Sequence, residues 1–462
     1  MKKFDLAVLG GGPGGYVAAI RGAQLGMNTC IIDKDKLGGI CLNWGCIPTK
    51  ALLKNAEVYG LVKNASSYGI SIEKISVDFK KNVKRSRDVA NRLSKGIDFL
   101  IKKNRISHIK GVGEFSSKNN LKIRMSSKTE MIQANNIIIA TGARPHSFPG
   151  MEYDQKRIIS SKEAMLLDNP PKSIIIIGSG AIGCEFAYYF NEFGSKVHVL
   201  EMKDQILPLE DIEVSREVEK SFKNSGINIF KKTKVSKIDS QKNKVIVRTN
   251  TGGKEEILES DIALLAVGVK GNIEGLGLED IGIQTQNGSI SINEYNQTNI
   301  PNIYAVGDVS GPPWLAHVAS AQGHIAAEHI AGTLPVPIHY SNIPACTYCQ
   351  PQVGSMGLTE LQAIDTGHDV KIGKFLFQSS GKAMAVGNTT GFVKLVFDAK
   401  YGELLGAHIV GSEATELIAE LNVAKALETT WEEIAMTIHA HPTLSEAIME
   451  AAMDAFGVAI HK

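Results

Sequence analysis

A glycine-rich stretch near the start of the chain decides the fold: Gly10-Gly11-Gly12-Pro13-Gly14-Gly15. A second copy follows as Gly178-Ser179-Gly180-Ala181-Ile182-Gly183. Each copy comes after an apolar run that predicts a strand and before an Ala-rich helical stretch. The next apolar run then ends at an acid, Asp33 in the first copy and Glu201 in the second. A single stretch of this kind is often only a turn, but two copies with matching acids predict two dinucleotide-binding units.

Each position in such a loop has a physical role. The first glycine allows a tight turn, the second lets the backbone approach a pyrophosphate, and the third lets the helix pack on the strand. Amide groups at the helix start hold the phosphates, and the acid binds the adenosine ribose. An acid such as Glu201 accepts the ribose 2′-hydroxyl of NAD and repels the 2′-phosphate of NADP.

Composition indicates a globular protein with several domains. The 462 residues exceed a single hydrophobic core, so two to four domains are expected. The 50 basic and 48 acidic residues give a formal net charge of +2, so nucleic acid is not an expected partner. No apolar stretch is long enough to span a bilayer, and no signal-peptide ending is present. We therefore expect a soluble, non-secreted, cytoplasmic protein.

Several further segments are interpretable from their periodicity. Residues 79–103 predict an amphipathic helix whose Lys and Arg face is solvated rather than bound to an acidic partner. Its apolar positions are Val83, Ala90, Leu93, Ile97, Leu100 and Ile101. Residues 302–308 predict a short strand ending at Asp308, which by itself is consistent with a helix cap. From about residue 340, β-like runs alternate with helical ones, which predicts an α+β domain.

Six cysteines are too few to form a stabilising disulfide framework in a chain of this size. A close pair of cysteines is therefore more consistent with catalysis. On a regular helix Cys41 and Cys46 would be about 140° apart and about 7.5 Å along the axis. Bridged α-carbons are usually no more than ~6.8 Å apart, so the backbone must break between the two. Gly45 supplies that freedom, and Pro48 marks a helix start whose N-terminus lowers a thiol pKa. We interpret the pair as redox-active.

Two other groups of residues are candidates for catalysis or metal binding. His441, with Glu446 five residues on, has the pattern of a general base and its orienting carboxylate, although His439 or His441 alone would be ordinary surface or capping residues. Cys346 and Cys349 have CxxC spacing, but no second CxxC completes a zinc site. We interpret them as structural thiols near a strand, and no metal site is expected.

Residues 38–50, GGICLNWGCIPTK, closely resemble the active-site signature of the class I pyridine nucleotide-disulfide oxidoreductases, which are FAD-dependent homodimers. The likeness extends over nearly the whole chain, including both glycine loops, residues 140–142, residues 305–308 and the terminal His-Pro-Thr. Leu42-Asn43, residues 47–50, the 439–446 ending and Glu201 favour the members that oxidise protein-bound dihydrolipoyl groups with NAD+. The alternatives within the family are glutathione- and mercuric-reductase-like enzymes working from NAD(P)H.

The resemblance implies a role for each matching residue. It implies FAD contacts from Gly10, Gly12, Gly15, Asp33, Gly113, Thr141, Gly142, Asp308 at the ribityl chain, Ala316, and Lys50 with Glu185 near the reactive nitrogen. It implies an NAD cleft formed by Gly178, Gly180, Gly183, Glu201, Val235 and Gly268. The chain departs from the common pattern at Asp33, where Glu is frequent, and around Cys346 and Cys349.

The implied mechanism has two half-reactions. His441 of a second subunit, oriented by Glu446, deprotonates a dihydrolipoyl thiol that attacks the Cys41–Cys46 disulfide. Cys41 forms the mixed disulfide, Cys46 is left as the thiolate against the flavin, and electrons pass through FAD to NAD+. An alternative hypothesis of a different class is that the chain is a flavoprotein that serves mainly as a structural subunit docked onto an acyltransferase core. A scaffold does not need the full set of Cys41, Cys46 and His441.

The resemblance also implies partners and an architecture. The expected partners are a second copy of the chain, the lipoyl domains and acyltransferase core of 2-oxo acid dehydrogenase complexes, and the lipoyl carrier protein of glycine cleavage. The expected fold class is α/β, with two Rossmann-like domains and a C-terminal α+β dimerisation domain. The predicted boundaries are 1–145 for the FAD-binding domain with the cysteine pair, 146–272 for the NAD-binding domain, 273–340 for a central domain completing the FAD site, and 341–462 for the interface domain.

Overall fold

The computed structural model describes residues 1–462, with helices and strands alternating along most of the chain. The α-helices, in chain order, are α1 (Pro13–Gln24), α2 (Gly39–Trp44), α3 (Cys46–Lys63), α4 (Phe79–Lys103), α5 (Ser161–Ala164), α6 (Ala181–Glu192), α7 (Ile212–Asn224), α8 (Leu278–Ile281), α9 (Ala316–Ile330), α10 (Glu360–Asp365), α11 (Gly381–Val386), α12 (Ala414–Ala426), α13 (Trp431–Met436) and α14 (Glu446–Ala455). Short 3₁₀ turns occupy Ala65–Tyr68, Gly307–Ser310, Tyr340–Asn342 and Phe377–Ser379.

The strands form six sheets. They are β1 (Lys2–Leu9), β2 (Thr29–Asp33), β3 (Ser107–Lys110), β4 (Val112–Ser117), β5 (Asn120–Arg124), β6 (Thr129–Ile139), β7 (Ala143–Pro145), β8 (Ile158–Ile159), β9 (Ser173–Ile177), β10 (Lys196–Leu200), β11 (Asn228–Phe230), β12 (Thr233–Ser240), β13 (Val245–Thr251), β14 (Lys254–Ser260), β15 (Ile262–Leu265), β16 (Val269–Gly271), β17 (Thr285–Gln286), β18 (Ser289–Ile290), β19 (Ile303–Ala305), β20 (Ala345–Thr347), β21 (Gln352–Gly357), β22 (Val370–Leu376), β23 (Gly391–Asp398) and β24 (Leu404–Gly411).

The chain divides into two compact units, each built from separate stretches of sequence. The first unit consists of Met1–Leu52, Asp78–His146 and Gly268–Ile338. The second consists of Leu53–Val77, Ser147–Val267 and His339–Lys462.

The main sheet of the first unit has the order β3-β2-β1-β6-β5-β4, and β19 also pairs with β6. Strands β3, β2, β1, β6 and β19 run parallel, whereas β4 and β5 are antiparallel additions. Because β2 lies on one side of β1 and β6 on the other, the strand order reverses between β1 and β6. Doubly wound sheets bind their ligands at the carboxyl ends of strands at such a point.

Both faces of this sheet are apolar, and helices α1, α4 and α9 cover one of them. Alternate residues of β1 enter different clusters, Leu6 and Val8 on one side and Ala7 and Leu9 on the other. Helices α1 and α9 pack through small residues, since a Cβ on Gly323 would lie 2.3 Å from the Gly14 carbonyl oxygen.

The second unit repeats the arrangement in its first half. Its parallel sheet has the order β11-β10-β9-β15-β8, so the strand order again reverses, here between β9 and β15. An antiparallel sheet, β12-β13-β14, lies in sequence between β11 and β15. The repeat of both strand order and glycine loop is consistent with duplication of the whole nucleotide-binding fold.

The C-terminal part of the second unit is an antiparallel sheet with the order β20-β21-β24-β23-β22. Val393 and Leu395 of β23 belong to the apolar cluster that includes Ile418 of α12 and Ile448 of α14. Gly373 lets α14 approach β22, because a Cβ there would lie 1.8 Å from the Ala451 carbonyl oxygen.

The expected fold class, α/β with a C-terminal α+β part, is confirmed. The predicted amphipathic helix is α4, but the buried stripe differs from the predicted one. Leu93 is 40% exposed, whereas Ser86 and Ser94 are buried. The four domain boundaries stay a prediction. None of the helices has the length and apolar character needed to cross a membrane.

Candidate active site

The helix breaks between the two cysteines, as their spacing predicts. Cys41 lies in α2, which ends at Trp44, and Cys46 is the first residue of α3. Gly45 between them has φ −147° and ψ −111°, well outside the helical region. The Thr49 backbone N–H and hydroxyl both donate to the Gly45 carbonyl, at 3.1 and 2.7 Å, and so begin the new helix.

The break brings the two sulfur atoms together. Both cysteines are free thiols, and their side chains share a hydrogen bond. This bond, together with burial, raises the pKa of Cys41 far above its ordinary value, and the nearby charge of Lys50 opposes that rise only in part. Cys46 lies at the N-terminus of an 18-residue helix, a position that favours a thiolate.

Side chains distant in sequence hold the cysteine segment. The Arg87 guanidinium lies 4.2 Å from the centre of the Trp44 ring, and its Nη1 donates to the Asn43 carbonyl at 2.6 Å. Asn43 is buried, and its Nδ2 donates to the Leu37 and Gly39 carbonyls at 3.1 and 3.0 Å. Sequence reasoning read Arg87 only as part of a solvated face, since nothing local signals its contact with Trp44.

The first glycine loop has the shape that a bound pyrophosphate requires. Gly10 has φ +107°, and a Cβ there would lie 2.2 Å from the Ala140 carbonyl oxygen. A Cβ on Gly15 would lie 1.9 Å from the Gly10 carbonyl oxygen, whereas a Cβ on Gly12 would meet nothing closer than 3.8 Å. Helix α1 begins beside this open position with no acidic residue in its first turn. The loop therefore fits the pyrophosphate of FAD.

The cysteine segment packs directly against this loop. The Gly38 N–H donates to the Gly11 carbonyl at 2.7 Å, and a Cβ on Gly39 would lie 2.6 Å from the Gly12 Cα. Gly38 and Gly39 both have positive φ, +103° and +57°, so this close approach depends on glycine. Cys41 follows two residues later and is thereby placed beside the proposed dinucleotide site.

Two carboxylates are assigned to the first site. Asp33, at the end of β2, accepts the Gly11 N–H at 2.6 Å, and burial raises its pKa. Asp308 caps neither of the nearby helices, because the residues at their N-cap positions are Val306 and Leu315. Burial raises the pKa of Asp308, and its charge contributes to the raised pKa of Cys41.

The other residues assigned to FAD lie in the first unit, with the exception of Glu185. Thr141 and Gly142 follow β6, and the Thr141 hydroxyl and carbonyl exchange hydrogen bonds of 2.9 Å with Asn272, a residue that sequence reasoning missed. Ala316 is the first residue of α9, Lys50 lies one turn after Cys46, and Gly113 lies in β4 against Leu9. Glu185 is buried in α6 of the second unit, where it accepts the Tyr348 N–H at 3.1 Å.

The second glycine loop repeats the geometry of the first. Gly178 has φ +97°, and a Cβ on Gly183 would lie 2.0 Å from the Gly178 carbonyl oxygen. A Cβ on Gly180 would meet nothing within 4 Å, and the first turn of α6 carries no acidic residue. Glu201, at the end of β10, is 6% exposed and accepts two hydrogen bonds from Ser179. The loop fits the pyrophosphate and adenosine ribose of NAD.

Two of the residues assigned to NAD have a more indirect placement. The buried Val235 side chain belongs to the apolar cluster that includes Ile175 and Ile177. Gly268 has φ +98° with open space at its Cβ position, and it begins the last stretch of the first unit.

The structure separates the two candidate histidines. The His439 side chain is 5% exposed, and both ring nitrogens are bonded, Nε2 to Glu420 at 2.7 Å and Nδ1 to the Thr437 carbonyl at 2.8 Å. The His441 side chain is 80% exposed, with Nδ1 bonded to Glu446 at 2.9 Å and Nε2 open. The Thr443 N–H lowers the pKa of Glu446, so this carboxylate accepts Nδ1–H and leaves Nε2 as a base.

The remaining cysteines, Cys346 and Cys349, have polar contacts of their own. The Cys349 thiol is buried and donates to the Pro351 carbonyl at 3.2 Å, whereas Cys346 Sγ lies 4.0 Å from the Thr415 carbonyl. The two thiols thus turn to different partners. No group of three or more His, Cys, Asp and Glu side chains is arranged to hold a metal ion.

Comparisons with known proteins agree with this geometry. The profile of the pyridine nucleotide-disulphide oxidoreductase family matches residues 4–323, and that of the family's dimerisation domain matches residues 343–452. Dihydrolipoyl dehydrogenases of Zymomonas mobilis and Bacillus subtilis are 48% and 43% identical to the chain, each over 99% of both sequences. That of Mycobacterium tuberculosis is 46% identical over 97% of both.

Solved structures show the same fold. LpdA of Mycobacterium tuberculosis superposes with a TM-score of 0.91 at 28% identity, covering 98% of this chain and 99% of that one. The flavoprotein disulfide reductase RclA of Escherichia coli superposes with a TM-score of 0.88 at 25% identity, over 98% and 99% of the two chains. From the paired cysteines, the two dinucleotide loops and these relatives together, the chain belongs to the dihydrolipoyl dehydrogenases of the pyridine nucleotide-disulphide oxidoreductase family.

Proposed function

We propose that this chain oxidises protein-bound dihydrolipoyl groups to lipoyl groups and passes the two electrons through the Cys41–Cys46 pair and FAD to NAD+. The observation that carries the proposal is the sulfur pair at the helix break, packed against the loop that fits a dinucleotide pyrophosphate. Bound FAD supplies the two-electron relay between the cysteines and the nicotinamide.

The cysteine step is a pair of thiol–disulfide exchanges. A substrate thiolate attacks Cys41 of the oxidised pair, so that a mixed disulfide forms and the Cys41–Cys46 bond breaks. The second substrate thiol then displaces Cys41, which releases the cyclic disulfide and leaves two reduced cysteines. The helix N-terminus at Cys46 favours this cysteine as the thiolate of the reduced pair.

His441 is the proposed base for the substrate thiol. Its open Nε2 takes the proton, and Glu446 stabilises the resulting imidazolium through Nδ1. Large apolar side chains near His441 in sequence are strongly exposed, including Met436 at 81% and Ile438 at 96%. Exposed apolar surface of this kind is typical of an interface. The match to the dimerisation domain then supports a homodimer in which His441 serves the partner's cysteine pair.

The proposed setting follows from the substrate. A lipoyl group is carried on a protein, so the partners are lipoyl domains and the acyltransferase core of 2-oxo acid dehydrogenase complexes, or the carrier protein of glycine cleavage. We place the chain in the cytoplasm, where a reducing environment leaves scattered cysteines as thiols and keeps a close pair available for catalysis.

Replacing His441 with Gln tests the assignment. With dihydrolipoamide as the substrate, reduction of the oxidised holoenzyme should slow by about a hundredfold or more, because general base catalysis is lost. Reduction by NADH, which does not use the base, should stay within a few-fold of the unmodified rate. Stopped-flow absorbance of the flavin measures both half-reactions.

His461→Gln is a matched control. His461 is also exposed, at 70%, and its Nδ1 is also bonded to a carboxylate, Glu450, at 2.6 Å. The rates of both half-reactions should be unchanged in His461→Gln. Equal losses in the two half-reactions of His441→Gln would refute the role of His441.

A further inference from the structure

The second glycine loop contains a buried hydroxyl that the first loop lacks. Ser179, between Gly178 and Gly180, is fully buried. Its backbone N–H and its Oγ both donate to the same atom, Oε2 of Glu201, at 3.0 and 2.7 Å. The Lys203 N–H donates to the other oxygen, Oε1, at 2.8 Å. The carboxylate of Glu201 is therefore held by three hydrogen bonds.

These contacts leave one hydrogen-bond acceptor site of the Glu201 carboxylate open. An ionised carboxylate has about four acceptor sites, two on each oxygen. Ser179 occupies both sites on Oε2, and Lys203 occupies one on Oε1. The one open site suits a single hydroxyl donor, such as the 2′-hydroxyl of a ribose, and offers nothing to a phosphate.

The first loop provides an internal comparison. Gly11 occupies the position of Ser179, and only its backbone N–H reaches the acid, Asp33 Oδ2, at 2.6 Å. No side chain fits there, because a Cβ on Gly11 would lie 2.4 Å from Leu37 Cδ2. Asp33 is also one methylene shorter than Glu201 and has one fewer torsion to restrict. The longer acid is thus paired with the additional hydroxyl.

We propose that Ser179 is a positioning residue that sets the affinity and selectivity of this chain for NAD. It acts through Glu201, by fixing the carboxylate in the one orientation that accepts a ribose 2′-hydroxyl. The inference rests on the proposed function only in taking NAD as the dinucleotide of the second loop.

The test is Ser179→Ala in the FAD-loaded enzyme. Hydrogen bonds to charged groups are each worth about tenfold or more in affinity. We expect the Kd for NAD+, measured by calorimetry on the oxidised enzyme, to rise about tenfold. The KM for NAD+ should rise in parallel, kcat should change less than twofold, and the preference for NAD+ over NADP+ should narrow.

Ser195→Ala is the matched control. Ser195 is a buried serine directly before β10, and its Oγ donates to the Pro171 carbonyl at 2.6 Å. It should leave NAD+ binding unchanged. An unchanged Kd in Ser179→Ala, an equal rise in Ser195→Ala, or an unchanged NAD+/NADP+ preference would overturn the proposal.

A double-mutant cycle with Glu201→Gln separates an effect that acts through Glu201 from a general weakening of the fold in Ser179→Ala. If Ser179 acts through Glu201, its removal should cost less affinity in the Glu201→Gln background than in the unmodified enzyme. Additive losses would contradict that route. Reduction of the enzyme by dihydrolipoamide without NAD+ should be equally fast in all variants. Failure of that reaction in the unmodified enzyme would refute the proposed function, while NAD+ binding would still report on Ser179.

Discussion

Replacing Lys394 with Met should strongly destabilise the second unit. Lys394 lies in β23 with its side chain 1% exposed, and its Nζ contacts three carboxylates. The contacts are 3.1 Å to Asp211, 2.8 Å to Glu213 and 2.7 Å to Glu360. Methionine has nearly the same length and fills the same space, so the change removes mainly the charge.

The expected loss of stability depends on which of the three carboxylates keep another cation or contact water. Glu213 retains a hydrogen bond from Lys374, and the Glu360 side chain is 38% exposed. Asp211 is 2% exposed and would be left as a buried carboxylate without a cation. Removing one partner of a buried ion pair costs about 3–5 kcal/mol. For a chain of 462 residues we expect the unfolding temperature to fall by about 3–5 °C.

The loss of stability in Lys394→Met should also depend on pH. Burial pushes the pKa of Glu213 up, but hydrogen bonds from Lys374 and Lys394 outweigh this effect and hold the pKa below its ordinary value. A carboxyl with a lowered folded-state pKa stabilises the protein above its unfolded-state pKa, about 4.3, and loses that contribution as the pH falls through the folded-state value. The difference between the unmodified protein and Lys394→Met should therefore narrow below about pH 4.

Chemical denaturation and thermal unfolding of the holoenzyme measure the effect. Lys234→Met, at an exposed position of β12, is the control and should change stability by less than about 0.5 kcal/mol. In the double variant Lys394→Met with Asp211→Asn, the stranded charge is gone, so stability should recover relative to the single variant. A single variant within about 1 kcal/mol of the unmodified protein, or a double variant no more stable than the single one, would refute this reasoning.

Two further predictions concern other sites. Gly12→Ala should fold with normal stability as apoprotein but lose most of its flavin, because the new methyl group occupies the space open to the pyrophosphate. Gly15→Ala should instead destabilise the apoprotein by about 1–3 kcal/mol, since its Cβ would lie 1.9 Å from a carbonyl oxygen; full flavin retention in Gly12→Ala would contradict the assignment of the loop. Burial raises the pKa of Glu210 to about 7, so its ionisation makes the fold less stable as the pH rises from about 4.3 to 7. Glu210→Gln should remove this slope and gain on the order of 2 kcal/mol at pH 8 in denaturant titrations, and an unchanged pH profile would disprove it.

The local features of the fold were predictable because their causes are local. The glycine loops, the acids at the ends of β2 and β10, and the break at Gly45 each follow from what a few neighbouring residues permit. Helix α4 was predicted with the bounds that the structure shows, but not its buried stripe. Helical periodicity alone does not reveal which side of a mixed sequence faces the core, and here small serines are buried instead of Leu93.

Contacts between distant residues were not predictable in the same way. The bond between Thr141 and Asn272 spans 131 positions, and that between Lys394 and Asp211 spans 183. Such pairs depend on strand order and register, which no local pattern encodes. A signal did exist for Lys394, because a lysine within the apolar run 392–397 has to find a buried partner. The sequence did not indicate which carboxylates would supply it.

Anaerobic titration of the yellow holoenzyme with dihydrolipoamide, followed by absorbance, tests the central claim most directly. If the Cys41–Cys46 pair accepts the electrons beside the flavin, two-electron reduction should produce a long-wavelength band from a thiolate next to the oxidised ring. Cys46→Ser should abolish that band. Bleaching of the flavin without the band in the unmodified enzyme, or an unchanged band in Cys46→Ser, would contradict the account.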